Sequence, residues 1–79
     1  MRHEVRLPEL GEDANDTASV GFWIVEAGSY VNEGDELLEL TTDKAAFSVP
    51  SPASGVLTEK CVDDGDEVSV GDLLCVLEE

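Results

Sequence analysis

Positive charge is what this chain lacks most. It holds 4 Lys and Arg residues against 19 Asp and Glu, a formal net charge of −15 over 79 residues. Phosphate backbones are gripped by Lys and Arg, so this balance excludes nucleic acid as a direct partner. The same sign excludes docking on anionic membrane surfaces. A field of this kind favours partners with basic docking surfaces and speeds their encounter. Acidity of this degree also serves plain solubility and a monomeric state, and adaptation to salt produces it too.

Histidine and cysteine are nearly as scarce, with one His and two Cys. The spacing of Cys61 and Cys75 fits neither a CxxC redox pair nor a zinc ribbon, and with His3 alone there is no ligand set for a metal. Both cysteines fall in apolar strand patterns, so both are expected to be free thiols and small core residues. An enzyme of this size needs a nucleophile with a base, or a carboxylate pair in a cleft. His3 lies at the N-terminus, Cys61 has no activating context, and the acids gather in turns, where solvated carboxylates are usual. No catalytic site is expected within the chain.

Long apolar runs are missing as well. Nothing approaches the ~20 residues that span a bilayer. No apolar stretch follows Met1-Arg2-His3-Glu4, so no signal peptide is read. The expectation is a soluble, cytoplasmic protein, or a mitochondrial matrix protein in a eukaryote. Helical periodicity is also absent. What remains is a hydrophobic share of 42%, ordinary for a folded domain, spread over short strand-like runs. Residues 1–79 make one domain, which buries only about 60% of its unfolded surface and has no room for a deep cleft.

The runs predict an all-β domain. Strands are expected at Glu4 to Pro8, Ser19 to Glu26, Tyr30-Val31, Glu36 to Leu40, Phe47 to Val49, Gly55 to Asp63, Val68 and Leu73 to Leu77. The stretch 11–17, with Gly11, Asn15 and three acids, reads as a loop. Gly28, Gly34, Gly65 and Gly71 mark tight turns. Pro50 and Pro52 bar regular pairing, since proline has no N–H to donate.

An internal repeat organises these elements. Setting Gly28 against Gly65 gives an offset of 37 (65 − 28). The same offset pairs Ile24 with Cys61, Val25 with Val62, Val31 with Val68, Gly34 with Gly71, Asp35 with Asp72, Leu37 with Leu74 and Leu40 with Leu77. Two copies are too few for a solenoid. They predict a flattened barrel or sandwich of two four-stranded antiparallel sheets related by a pseudo-twofold axis. The counterpart of Asp43-Lys44 then falls where the two chain ends lie, so that stretch and the termini are expected at opposite ends of the domain.

Leu40-Thr41-Thr42-Asp43-Lys44-Ala45-Ala46-Phe47 is the segment that stands out. Two short strands meet at a polar pair, the pattern of a β-hairpin. With no Gly at the tip, neither Asp43 nor Lys44 needs a positive φ, and a type I turn across Thr42 to Ala45 is predicted. Such a turn holds the Lys44 amine in water, and Lys44 is one of only two lysines in the chain. A lysine there is a poor catalyst and a good attachment point.

Asp43-Lys44-Ala45 on a hairpin tip, followed by Val49-Pro50-Ser51-Pro52 and Gly55, resembles the lipoyl domains of the biotinyl/lipoyl attachment family. So do Leu7-Pro8-Glu9-Leu10-Gly11-Glu12 and the turns Gly28–Asp35 and Gly65–Leu74, and the likeness covers nearly the whole chain. It implies the flattened β-sandwich and lipoic acid joined to Lys44 by an amide, with Asp43 and Ala45 read by the attaching enzyme. It also implies a place in a 2-oxo acid dehydrogenase complex, on a dihydrolipoyl acyltransferase. The implied partners are a lipoate ligase or transferase, a thiamine-dependent decarboxylase, the acyltransferase core and a dihydrolipoyl dehydrogenase. In this fold the 11–17 loop lies beside the hairpin, so Glu12, Asp13 and Asp16 are expected to tune partner choice. Thr41 and Ser48 stand where the family often carries acids that the attaching enzyme uses. Biotin acceptors flank their lysine with Met, which Asp43 and Ala45 replace here. A biotin carrier and an unmodified interaction module of the same fold are the alternatives.

Overall fold

The computed structural model describes residues 1–9 and 17–79. Among them the chain forms β1 (Arg2–Arg6), β2 (Thr17–Trp23), β3 (Tyr30–Val31), β4 (Glu36–Thr41), β5 (Ala46–Pro50), β6 (Gly55–Lys60), β7 (Glu67–Ser69) and β8 (Leu73–Glu78). They build two four-stranded sheets, β1-β8-β6-β3 and β5-β4-β2-β7, with every pairing antiparallel. This is the predicted two-sheet sandwich.

The sheet orders carry the repeat. Moving β2, β3 and β4 forward by 37 residues lands on β6, β7 and β8. With β1 standing for β5, one sheet order becomes the other. The backbone bonds outside the ladders repeat too. Gly28 N donates to Leu57 O at 2.7 Å, and Gly65 N to Val20 O at 2.8 Å. Ile24 N donates to Leu37 O at 2.9 Å, and Cys61 N to Leu74 O at 2.9 Å. The repeat mates Val20/Leu57, Val31/Val68, Leu37/Leu74 and Leu40/Leu77 supply both halves of the core, each at most 2% exposed. Burying such a side chain stabilises the fold by about 1.5–3 kcal/mol.

Two of the glycine turns show why glycine stands there. Asp35 N donates to Asn32 O at 3.0 Å and Asp72 N to Ser69 O at 2.9 Å, each closing a four-residue turn. Gly34 (φ 92°) and Gly71 (φ 91°) hold the third position, where a type II turn demands left-handed backbone. The acids have work here as well. Asp35 Oδ2 accepts from Asn32 N at 2.9 Å and Asp72 Oδ2 from Ser69 N at 2.8 Å. Part of the chain's acidity is therefore turn architecture.

Two expectations fail. Pro50 does not stand outside the ladder: it ends β5 opposite Glu36, which an edge strand tolerates because its outer side needs no N–H donor. Cys75 is in the core at 0% exposure, and burial pushes its thiol up to about 12. Cys61 is exposed. Its repeat mate Ile24 is itself 42% exposed, so the repeat aligned Cys61 correctly and only the inward assignment was wrong. Strand ends shift as well: β1 stops at Arg6 rather than Pro8, and β2 runs from Thr17 to Trp23 rather than from Ser19 to Glu26.

The topology fixes where the ends of the molecule lie. Ser19 pairs with Thr41, so β2 starts beside the β4–β5 hairpin. Val56 pairs with Glu78, so β6 starts beside the termini. The far ends of β2 and β6 meet midway, where Trp23 Nε1 donates to Val62 O at 2.9 Å. The hairpin and the two termini therefore occupy opposite ends of a domain 35 Å long.

Candidate functional site

The hairpin tip is held by its own strands. Leu40 pairs with Phe47 and Thr41 with Ala46. Leu40 is fully buried, and Phe47 packs against the core. Beyond them the chain turns through Thr42, Asp43, Lys44 and Ala45. Thr42 N donates to Ala45 O at 2.8 Å. The Thr42 hydroxyl donates to the same carbonyl at 3.2 Å and accepts from Lys44 N and Ala45 N, each at 3.2 Å. No non-glycine residue among those described has a positive φ, as the tip sequence predicted.

Thr42 is the site residue that sequence reasoning passed over. Its hydroxyl takes the place of the backbone acceptor that would otherwise close the turn. The signal was available, since a threonine opening a turn commonly bonds the N–H groups that follow it. The turn leaves Asp43, Lys44 and Ala45 exposed at the end of the molecule. Their backbone is fixed by the hairpin ladder, and with it the base of the Lys44 side chain.

The second lysine sits differently. Lys60 ends β6, and its Nζ lies 5.4 Å from the centroid of the Trp23 ring, a cation–π distance. Of the two lysines, Lys44 alone is on a turn. Glu12, Asp13 and Asp16, expected to tune partner choice, lie outside the described residues.

A cleft of about 250 Å³ opens beside the tip, lined by Thr17, Ser19, Thr41, Thr42, Asp43 and Glu67 among others. Three strands meet in it, because Ser19 of β2 pairs with Thr41 of β4 on one side and with Glu67 of β7 on the other. Among the described residues, no group of three or more His, Cys, Asp or Glu is placed to hold a metal ion.

Comparison with known proteins agrees with this geometry. Residues 3–77 match the sequence model of the biotin/lipoyl family, described as biotin-requiring enzyme. The chain is 38% identical over 76 residues to the dihydrolipoyllysine-residue succinyltransferase component of the 2-oxoglutarate dehydrogenase complex of Bacillus subtilis. That alignment takes in 96% of this chain and 18% of the relative. It is 39% identical over 74 residues to the dihydrolipoyllysine-residue acetyltransferase component of the pyruvate dehydrogenase complex of Staphylococcus epidermidis, across 94% of this chain and 17% of that protein. The chain thus spans less than a fifth of the length of these curated relatives. Its fold superposes on the solution structure of the lipoyl domain of the Azotobacter vinelandii 2-oxoglutarate dehydrogenase complex with a TM-score of 0.76 and 29% identity, covering 96% of this chain and 95% of that one. Sequence from end to end and fold from sheet to sheet agree, and the chain belongs to the biotinyl/lipoyl attachment family, with lipoyl domains of dihydrolipoyl acyltransferases among its relatives.

Proposed function

We propose that the domain is a lipoyl carrier and that lipoic acid is joined to Lys44 through an amide. The observation that carries this reading is the position of Lys44: exposed, on a backbone-fixed hairpin tip, at the opposite end of the domain from the termini. A group attached there is held clear of whatever chain continues from the other end. When bound, lipoic acid supplies a dithiolane that takes up an acyl group and electrons at one active site and gives them up at others. The chain's own part is mechanical. The Thr42 hydroxyl and the Leu40–Phe47 pair hold the tip, Asp43 and Ala45 present the lysine to the attaching enzyme, and the stiff sandwich confines the arm. Confinement raises the arm's effective concentration at each active site it visits.

By the same reading, the domain serves a 2-oxo acid dehydrogenase complex. Its partners are the lipoate ligase or transferase, a thiamine-dependent decarboxylase, the acyltransferase core and a dihydrolipoyl dehydrogenase. The chemistry of acyl transfer belongs to those partners and to the cofactor. The family description favours one second reading, a biotin carrier with biotin on the same lysine. Intact-mass spectrometry after separate incubation with a lipoate-attaching enzyme and a biotin ligase decides between them. One lipoyl group and no biotin is expected. Biotin alone means a biotin carrier, and neither modification means an interaction module.

A further inference from the structure

The flank where β1 meets β5 carries an apolar groove. Each strand is the edge of its own sheet, and the groove between them has a volume of about 260 Å³. Val5, Pro8, Val49, Pro50 and Pro52 wall it, so all three prolines of the chain stand there. Two charged side chains reach it, Glu4 and Arg6, and they are engaged elsewhere. Arg6 Nη2 donates to Glu4 Oε1 at 3.1 Å and Nη1 donates to Gly71 O at 2.9 Å.

The prolines narrow the choice of occupant. An extended peptide would join the outer edge of β5 through backbone hydrogen bonds, and Pro50 and Pro52 have no N–H to offer it. What suits the groove is an apolar group with no backbone of its own to satisfy. A cavity of about 150 Å³ with apolar walls takes up benzene, so there is room here for a five-membered ring and part of its chain. Reach names the group. Val49 lies five residues beyond Lys44, and β5 runs from Ala46 toward it. At about 3.3 Å per extended residue, the separation is at most about 17 Å. About twelve bonds lead from the Lys44 Cα to the nearer ring sulfur of an attached lipoyl group, a span on the order of 15 Å at ~1.25 Å of advance per bond. The cleft lined by Thr41, Asp43 and Glu67 is nearer the lysine, but it offers a ring no apolar wall.

We propose that the β1–β5 groove is the resting site of the arm: the dithiolane ring of a lipoyl group on Lys44 folds back along β5 and lies against Val5, Val49 and Pro52 between its visits to other active sites. The inference rests on the lipoyl reading of Lys44. Rest in the groove covers the ring sulfurs against stray thiols. Release gives up only a few apolar contacts, each weak, so the arm stays free to leave.

The test compares unmodified and lipoylated protein by heteronuclear NMR and by the rate at which dithiothreitol reduces the ring. Lipoylation is expected to shift the Val5 and Val49 signals as well as those of the hairpin, with nuclear Overhauser contacts from ring protons to Pro52. Pro52→Asp puts a carboxylate into the apolar wall. It should speed reduction about threefold, as a ring sheltered about two-thirds of the time is set free. An added negative charge by itself slows attack by a thiolate, so the sign of the change separates the two causes. Pro52→Ala keeps the wall apolar and should stay near the wild-type rate. Pro52 is exposed, so thermal midpoints should match, and the wild-type spectra decide the matter even where a variant unfolds. If lipoylated wild type shows shifts at the hairpin alone, the groove is not the resting site and the lipoyl reading stands. Reduction of Pro52→Asp no faster than wild type, or equal acceleration in Pro52→Ala, overturns it in the same way. If wild type takes no lipoyl group, both readings fall together.

Discussion

The two ends of this domain are the same structure put to different uses. At one end β4 and β5 are joined by the Thr42–Ala45 turn. At the other, the symmetry-related strands β8 and β1 are not joined at all, and their ladder runs out at the termini. Arg2 pairs with Glu78, Glu79 N donates to Met1 O at 3.0 Å, and the Met1 amine reaches Glu79 O at 3.5 Å. The seam without a turn is as regular as the hairpin with one. A regular seam with no turn implies that the fold should tolerate changes at Asp43, Lys44 and Ala45. Features that recur under the 37-residue shift belong to the scaffold. The lysine turn does not recur, and under the proposed function it carries the site.

The sharpest way to break this comparison is to exchange the ends. A circular permutant with Glu79 linked to Met1 and the chain opened between Asp43 and Lys44 should keep the fold, within about 2 kcal/mol of wild type in unfolding free energy, and lose lipoylation altogether. Chemical denaturation and intact mass check both halves of that statement. An unfolded permutant would show that the tip is structural after all.

Next in size is the core. Leu40→Ala and Leu77→Ala remove repeat mates that are both fully buried. Each should cost about 3 kcal/mol, and the two costs should agree within about 1 kcal/mol if the halves are equivalent. Urea titration measures this. A large inequality would mean that one half dominates the core.

A smaller effect separates the ends. Thr42→Ala removes the hydroxyl that serves two turn N–H groups and should cost about 1 kcal/mol. It should also slow lipoylation, because the base of Lys44 loses its fixed position. Unchanged lipoylation kinetics would count against a role for a rigid tip.

The last effect, at the cysteines, shows only at alkaline pH. Burial raises the Cys75 thiol from an ordinary value near 9 to about 12. Below pH 9 both the folded and the unfolded chain hold that proton. Above it the unfolded chain releases the proton first, so this contribution to stability is lost as pH climbs toward 12. Cys75→Val should flatten that alkaline fall in thermal midpoint. A thiol reagent should label exposed Cys61 in the native state and spare Cys75, and labelling of Cys75 before unfolding would contradict its burial.

Much of this was legible in the chain itself, because the repeat and the turn glycines are local signals with physical causes. The offset of 37 predicted two equivalent sheets and the hairpin opposite the termini. Less legible were features set by neighbours distant in sequence. Val5 and Leu7 are both buried. The β1 ladder nevertheless stops at Arg6, because Leu7 bonds instead to Asp72 O at 3.0 Å, on the turn before β8. Burial periodicity outlasts strand pairing there. Cys61 was misplaced because an apolar run does not say which of its members face out. The cleft was invisible because Thr41 and Glu67 are brought into one row only through Ser19.

The most direct test of the central claim is to map the modified residue by peptide mass spectrometry in wild type, Lys44→Ala and Lys60→Ala, each exposed to lipoate and its attaching enzyme. The account expects one lipoyl group on Lys44 in wild type and in Lys60→Ala, and none in Lys44→Ala. A lipoyl group on Lys60, or one retained by Lys44→Ala, would contradict it.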